Sequence, residues 1–121
     1  FLYLHDAITD IDGEEWAMVS AVHATAAYQG KLQPRFGYIT LEDGQTGMQI
    51  RGHEFHYFDS TNNGCDCIAG KPVGKRSWTC IHADRSHFIG FPHLYYPSCP
   101  DFVINFVEQC RNWNRKRKGA K

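Results

Sequence analysis

The sequence predicts an α/β fold in which several short strands precede one amphipathic helix. Three observations carry this. Aromatic and β-branched residues gather in short runs separated by Gly, Pro, Asn and Asp, the pattern of strands and turns. One stretch alone, near the C-terminus, has apolar residues at helical spacing. And 121 residues, 42% hydrophobic and 21% charged, have the composition of one globular domain rather than a disordered or collagen-like chain.

Taken in order, Phe1-Leu2-Tyr3-Leu4 is an apolar start, which together with the absence of an initiating Met suggests a fragment. Asp6 to Glu15 is polar, with Asp12-Gly13 its clearest turn. Trp16 to Val22 is apolar enough for a short buried strand, and Ala24 to Tyr28 is ambiguous. Phe36 to Leu41 reads as a strand turned by Glu42-Asp43-Gly44. Met48 to Arg51 and Glu54 to Phe58 read as a second strand, broken near Gly52. Ser60 to Gly74 has no period and many turn residues, so it reads as a long loop. Trp78 to His82 and Phe88 to Phe91 supply two more strands. The helix follows: Ser98 as N-cap, Pro100 in the first turn, Asp101 completing an S-x-x-D start. Phe102, Val103, Phe106, Val107 and Cys110 form its apolar face. One helix cannot cover both faces of a sheet, which again suggests missing sequence.

The formal net charge of zero hides a split. Residues 1–110 hold all 13 acids and seven Lys or Arg, a net −6, and residues 111–121 carry +6. A basic tail with Trp113 inside it could touch nucleic acid, but a solvated helix end is favoured and no nucleic-acid partner is expected. No run approaches the roughly 20 apolar residues of a membrane span, so no membrane partner is expected. Five cysteines, an odd number with no signal peptide, suggest reduced thiols and a cytoplasmic protein.

Arg51-Gly52-His53-Glu54-Phe55-His56-Tyr57 is the densest polar and aromatic cluster. On a strand, His53 and Phe55 would face one side, Glu54 and His56 the other. Such residues could bind a metal, pair with each other or grip an amino-acid substrate. Cys65-Asp66-Cys67, with His53 and His56, invites a zinc reading, but one intervening residue is too few for the usual knuckle and a loop with free thiols is favoured. His93 lies between a strand and a helix, where α/β enzymes place catalytic groups, although an ordinary loop histidine is an equal reading of its position. Gly70 to Ser77 fails as a nucleotide-binding P-loop: its glycines are too close and Arg76 stands where the hydroxyl belongs. Asp10-Ile11-Asp12-Gly13 fails as a calcium loop for want of spacing and a closing Glu.

The Arg51–Tyr57 run resembles the R-G-H-E-F-H-Y motif of cobyrinate a,c-diamide synthases, glutamine-dependent amidases of corrin biosynthesis. Other segments agree in order. Phe1-Leu2-Tyr3-Leu4, Asp10-Ile11-Asp12-Gly13 and Trp16 to Val19 resemble the stretch after that family's nucleophile, Phe36-Gly37-Tyr38 its next strand, and Ile89 to Tyr96 its A-S-Y-L-H-x-H-F segment. The resemblance implies a fold and a chemistry. The fold is the C-terminal portion of a flavodoxin-like class I glutamine amidotransferase domain, with a mixed sheet and a final amphipathic helix. The chemistry is attack of a Cys thiolate on the glutamine amide, with a His moving the proton.

His93 matches the catalytic His. His53, Glu54, Phe55, His56 and Tyr95 are implied as substrate-binding, Tyr95 standing where the family commonly has a second His. The nucleophile would lie just upstream of Phe1 in a G-x-C-G-G turn. None of the five cysteines here has that context, so residues 1–121 alone are expected to be inactive. An N-terminal ATP- and Mg²⁺-using domain would be absent too. No cofactor and no metal is expected within residues 1–121, and their folding alone is expected to be poor. The implied partners are glutamine and, through the absent domain, a corrin tetrapyrrole, with a homodimer as an option. The alternatives are an amidase acting on hydrogenobyrinate or a nickel tetrapyrrole, a degenerate non-catalytic amidotransferase domain, and a zinc module on Cys65, Cys67, His53 and His56.

Overall fold

The structure is a computed structural model and describes residues 1–119; Lys121, part of the basic tail, lies outside the described residues. Among the described residues eleven short strands and one long helix form an α/β arrangement, with the strands in three sheets. The first sheet is mixed. In it β1 (Ala7–Thr9) pairs parallel with β3 (Thr25–Tyr28) and antiparallel with β2 (Glu15–Ala17), and β6 (Phe58–Ser60) closes the far side. The second sheet is antiparallel and larger. Its strands are β4 (Gly37–Asp43), β5 (Gln49–Glu54), β7 (Cys67–Gly70), β8 (Ser77–Cys80) and β11 (His93–Leu94), in the order β11-β5-β4-β7-β8. A two-stranded ribbon joins β9 (His82–Ala83) to β10 (Phe88–Ile89).

The large sheet has one dry face. Ile39, Leu41, Ile50, Cys67, Ala69 and Cys80 alternate along its strands with more exposed residues and meet Ile81 and Phe102 in the core. Each fully buried Ile or Leu contributes roughly 1.5–3 kcal/mol, so this face is the main source of stability. Phe102 enters from the helix α1 (Pro100–Gly119) and packs edge-on to Phe88, with ring centroids 5.2 Å apart.

Four expectations need correction. Trp16–Val22 is not a buried strand: β2 covers only Glu15–Ala17 and is exposed throughout. The Ser60–Gly74 stretch is not all loop, because Cys67–Gly70 form β7 between β4 and β8, where neighbours on both sides supply its backbone hydrogen bonds. β5 runs unbroken through Gly52 and ends at Glu54, so Glu54 to Phe58 does not continue it as a strand. Ser98 does not cap α1. It ends the 3₁₀ turn Tyr96–Ser98, and its hydroxyl donates to the Tyr95 carbonyl (2.7 Å) and accepts the Arg51 N–H (2.9 Å). The helical period is right, yet of its apolar face only Phe102 is buried, while Val103, Phe106, Val107 and Cys110 retain exposure. Lys116, Arg117 and Lys118 fall in the last turn, where the helix dipole favours cations.

Candidate functional site

Period-two alternation along β5 divides the Arg51–Tyr57 run between two environments. Arg51, His53 and Phe55 point outward, whereas Gly52 and Glu54 are buried and His56 nearly so.

On the outer face His93 of β11 lies directly opposite His53 of β5, with rings near-parallel (18°) and centroids 5.0 Å apart. Tyr38 of β4 lies opposite His53 on its other side, so the row reads His93, His53, Tyr38. One step along the strands, Tyr95 lies beside Arg51, donating its N–H to the Arg51 carbonyl at 2.7 Å, and Thr40 pairs with Arg51 from β4. Phe55 packs between Phe36 and Tyr57 at 5.6 and 5.8 Å.

Gly52 explains how close β11 comes. A Cβ placed there would lie 2.3 Å from the His93 carbonyl oxygen, a distance real side chains do not reach, so glycine is what allows the β5–β11 pairing that holds His93.

On the inner side Glu54, 1% exposed, is the centre of a polar network. Its Oε1 accepts from the Trp78 indole N–H at 3.0 Å; its Oε2 lies 2.9 Å from His56 Nε2 and 3.4 Å from Arg35 Nε. Arg35 also pairs with Asp59. His56 Nδ1 faces the Phe58 carbonyl at 2.6 Å, so both ring nitrogens meet acceptor oxygens. Burial pushes the Asp59 carboxyl up, but hydrogen bonds from Asn63 and Arg35 and the guanidinium charge outweigh it, leaving Asp59 below its ordinary value. His56 also stacks on Phe91, with centroids 3.8 Å apart and planes 5° from parallel, and Phe91 is two residues before His93. The network therefore reaches the His93 strand through one aromatic contact.

Of the residues singled out in the sequence, His53, Phe55, His93 and Tyr95 share the outer face, and Glu54 and His56 are committed to the interior. Arg35, Trp78 and Asp59 carried no sequence signal. Each is distant from Glu54 along the chain or across a turn, and only folding brings them together. Among the described residues no three His, Cys, Asp or Glu side chains gather as a metal site, and Cys65 is exposed while Cys67 is buried. Burial pushes the Cys67 thiol up to about 11 and that of Cys80 up to about 12, which leaves both unreactive near neutral pH. No helix among the described residues is long and apolar enough to cross a membrane.

Fold and site together define an α/β chain with a histidine pair on the open face of an antiparallel sheet. Comparison with known proteins places it more narrowly. It is 28% identical over 95% of its length to the cobyrinate a,c-diamide synthase of Caldanaerobacter subterraneus and 32% identical over 85% to that of Fusobacterium nucleatum. It is 28% identical over 99% to that of Priestia megaterium. The chain is thus related in sequence to the cobyrinate a,c-diamide synthases, as the Arg51–Tyr57 run predicts, and it spans about a quarter of the length of the curated relatives it matches. No family model matches it, and no solved structure does.

Proposed function

We propose that residues 1–121 form the histidine-bearing part of the glutaminase domain of a cobyrinate a,c-diamide synthase, a ligase of cobalamin biosynthesis. The observation that carries this is His93, held on an exposed strand against His53 of the family-like run. Phe1 gives further support: its ring packs edge-on to Phe91, at 4.9 Å and 88°, two residues from His93. A cysteine just ahead of Phe1 in the longer protein would enter at the same end of the molecule.

In this reading the thiolate attacks the glutamine side-chain carbon and the C–N bond breaks. His93 gives a proton to the leaving ammonia. It then takes one from the water that hydrolyses the thioester to glutamate. His53 and Tyr95 flank His93 on the substrate side, while Glu54 and His56 act from below by fixing Phe91 and the strand that follows. The released ammonia would amidate the a- and c-acetate carboxylates of a corrin ring, activated with ATP and Mg²⁺. In this chain Gly70 to Ser77 lacks the P-loop spacing, and among the described residues no three His, Cys, Asp or Glu side chains gather. ATP and corrin belong, in this reading, to the remainder of the longer protein.

The test is glutamine hydrolysis by the full-length polypeptide that contains these residues, with and without His93→Ala. Loss of a general acid–base should lower the rate about 10²- to 10⁴-fold. An unchanged rate would overturn the assignment.

A further inference from the structure

Glutamine hydrolysis requires more than a base beside the amide, because the enzyme must also recognise the amino-acid end of the substrate. We propose that Arg51 holds the α-carboxylate of glutamine; this rests on the glutaminase reading above. Arg51 is exposed on the same sheet face as His53 and His93. Among the described residues its guanidinium makes no ion pair and no hydrogen bond, unlike the nearby cations. Arg35 is bound to Glu54 and Asp59, Lys71 to the carbonyls of Arg35 and Phe36, and Arg76 to the Pro34 carbonyl. β4 and β11 contribute no Lys or Arg, so among the described residues of these two strands and β5, Arg51 is the cation offered to the His93 face.

The spacing suits the ligand. Arg51 stands two residues from His53 on β5, a step of about 6.8 Å along an antiparallel strand. In extended glutamine the amide carbon and the carboxylate carbon are four C–C bonds of about 1.5 Å apart, or roughly 5 Å. An amide at His93 therefore brings the carboxylate within reach of the Arg51 fork, which matches a carboxylate with two parallel N–H donors. The arginine backbone is fixed for this task. Its N–H donates to Ser98 Oγ at 2.9 Å, its carbonyl accepts from Tyr95 at 2.7 Å, and Ser98 Oγ donates back to the Tyr95 carbonyl. The Ser98 hydroxyl is thus spent on the Arg51–Tyr95 junction instead of on a helix cap.

The experiment compares kcat/KM for glutamine with that for 4-aminobutanamide, which has the same amide and amine but no carboxylate, in the full-length polypeptide. The wild-type protein should prefer glutamine strongly. Arg51→Met should shrink that preference roughly 10- to 100-fold, through KM for glutamine rather than through the rate on the carboxylate-free amide. Arg51→Lys should recover part of it, since a point charge replaces the fork. If Arg51→Met keeps the wild-type preference while His93→Ala slows hydrolysis as expected above, the carboxylate anchor is wrong and the glutaminase reading stands. If the wild-type polypeptide hydrolyses neither amide, both fall together.

Discussion

Two sides of a single strand, β5, do different work. Its outer residues Arg51 and His53 lie against the His93–Tyr95 segment in solvent, and its inner residues Gly52 and Glu54 are sealed in the protein. The outer side can change charge, rotamer and partner at little cost to the fold. The inner side cannot, because each buried polar atom there already has a partner whose loss would leave it unpaired in a low dielectric. A seven-residue run thus contains both the residues of the proposed site and the buried ones beneath them, interleaved by the pleat. Residues adjacent in a motif need not share an environment; here alternation separates exposed side chains from buried, hydrogen-bonded ones.

The division can be broken most severely at Glu54. Glu54→Ala leaves Arg35 and His56 without their shared carboxylate and should cost about 3–5 kcal/mol, read as a lower midpoint in urea unfolding. A stability equal to wild type would mean that the network contributes nothing to the fold.

Gly52→Ala is the next test, and it separates the two sides within a single residue. The added methyl meets the His93 carbonyl, so β11 must shift, at a cost of about 1–3 kcal/mol for overpacking. The cross-strand proton contacts between His53 and His93 in NMR spectra should weaken, while those of the β4–β7 pair persist. Retention of the His53–His93 contacts would show that β11 is not held by this close approach.

The smallest effect expected is on pH dependence. Asp59 has its folded carboxyl lowered below the ordinary 3.8, so its contribution to stability is complete above that value. It is lost as pH falls through the lower folded value. Asp59→Asn should therefore reduce stability at neutral pH and flatten the steep part of the acid limb below about pH 4. Parallel acid limbs for the two proteins would remove Asp59 from the network's electrostatics.

Much of this organisation is legible in the sequence wherever a period exists. The alternation of β5 is correct residue by residue because a half-buried strand has only two faces. The C-terminal helix is correct for a similar reason, through its 3.6-residue spacing. β7 is not legible: Cys67-Ile68-Ala69-Gly70 has little β propensity and sits among turn residues, and it becomes a strand because β4 and β8 flank it. Trp16 misleads by its size, since an aromatic so large suggests burial, whereas its indole N–H reaches out to Asp10 at 2.7 Å. The inner half of the site is hidden for a topological reason. The partners Arg35, Asp59 and Trp78 come from three separate segments, and no local pattern links them to Glu54.

By itself, then, the sequence determined which chemistry-bearing residues lie on one strand, which of them share a face, and which family the run resembles. Tertiary structure decided which face became the interior, that His93 would stand opposite His53, and that Glu54 and His56 would be spent on Arg35, Trp78 and Phe91. The physical reason is that alternation is a property of the backbone and is written locally. Burial and partnership depend on which distant segments close over a strand, and that is settled only when the sheets assemble.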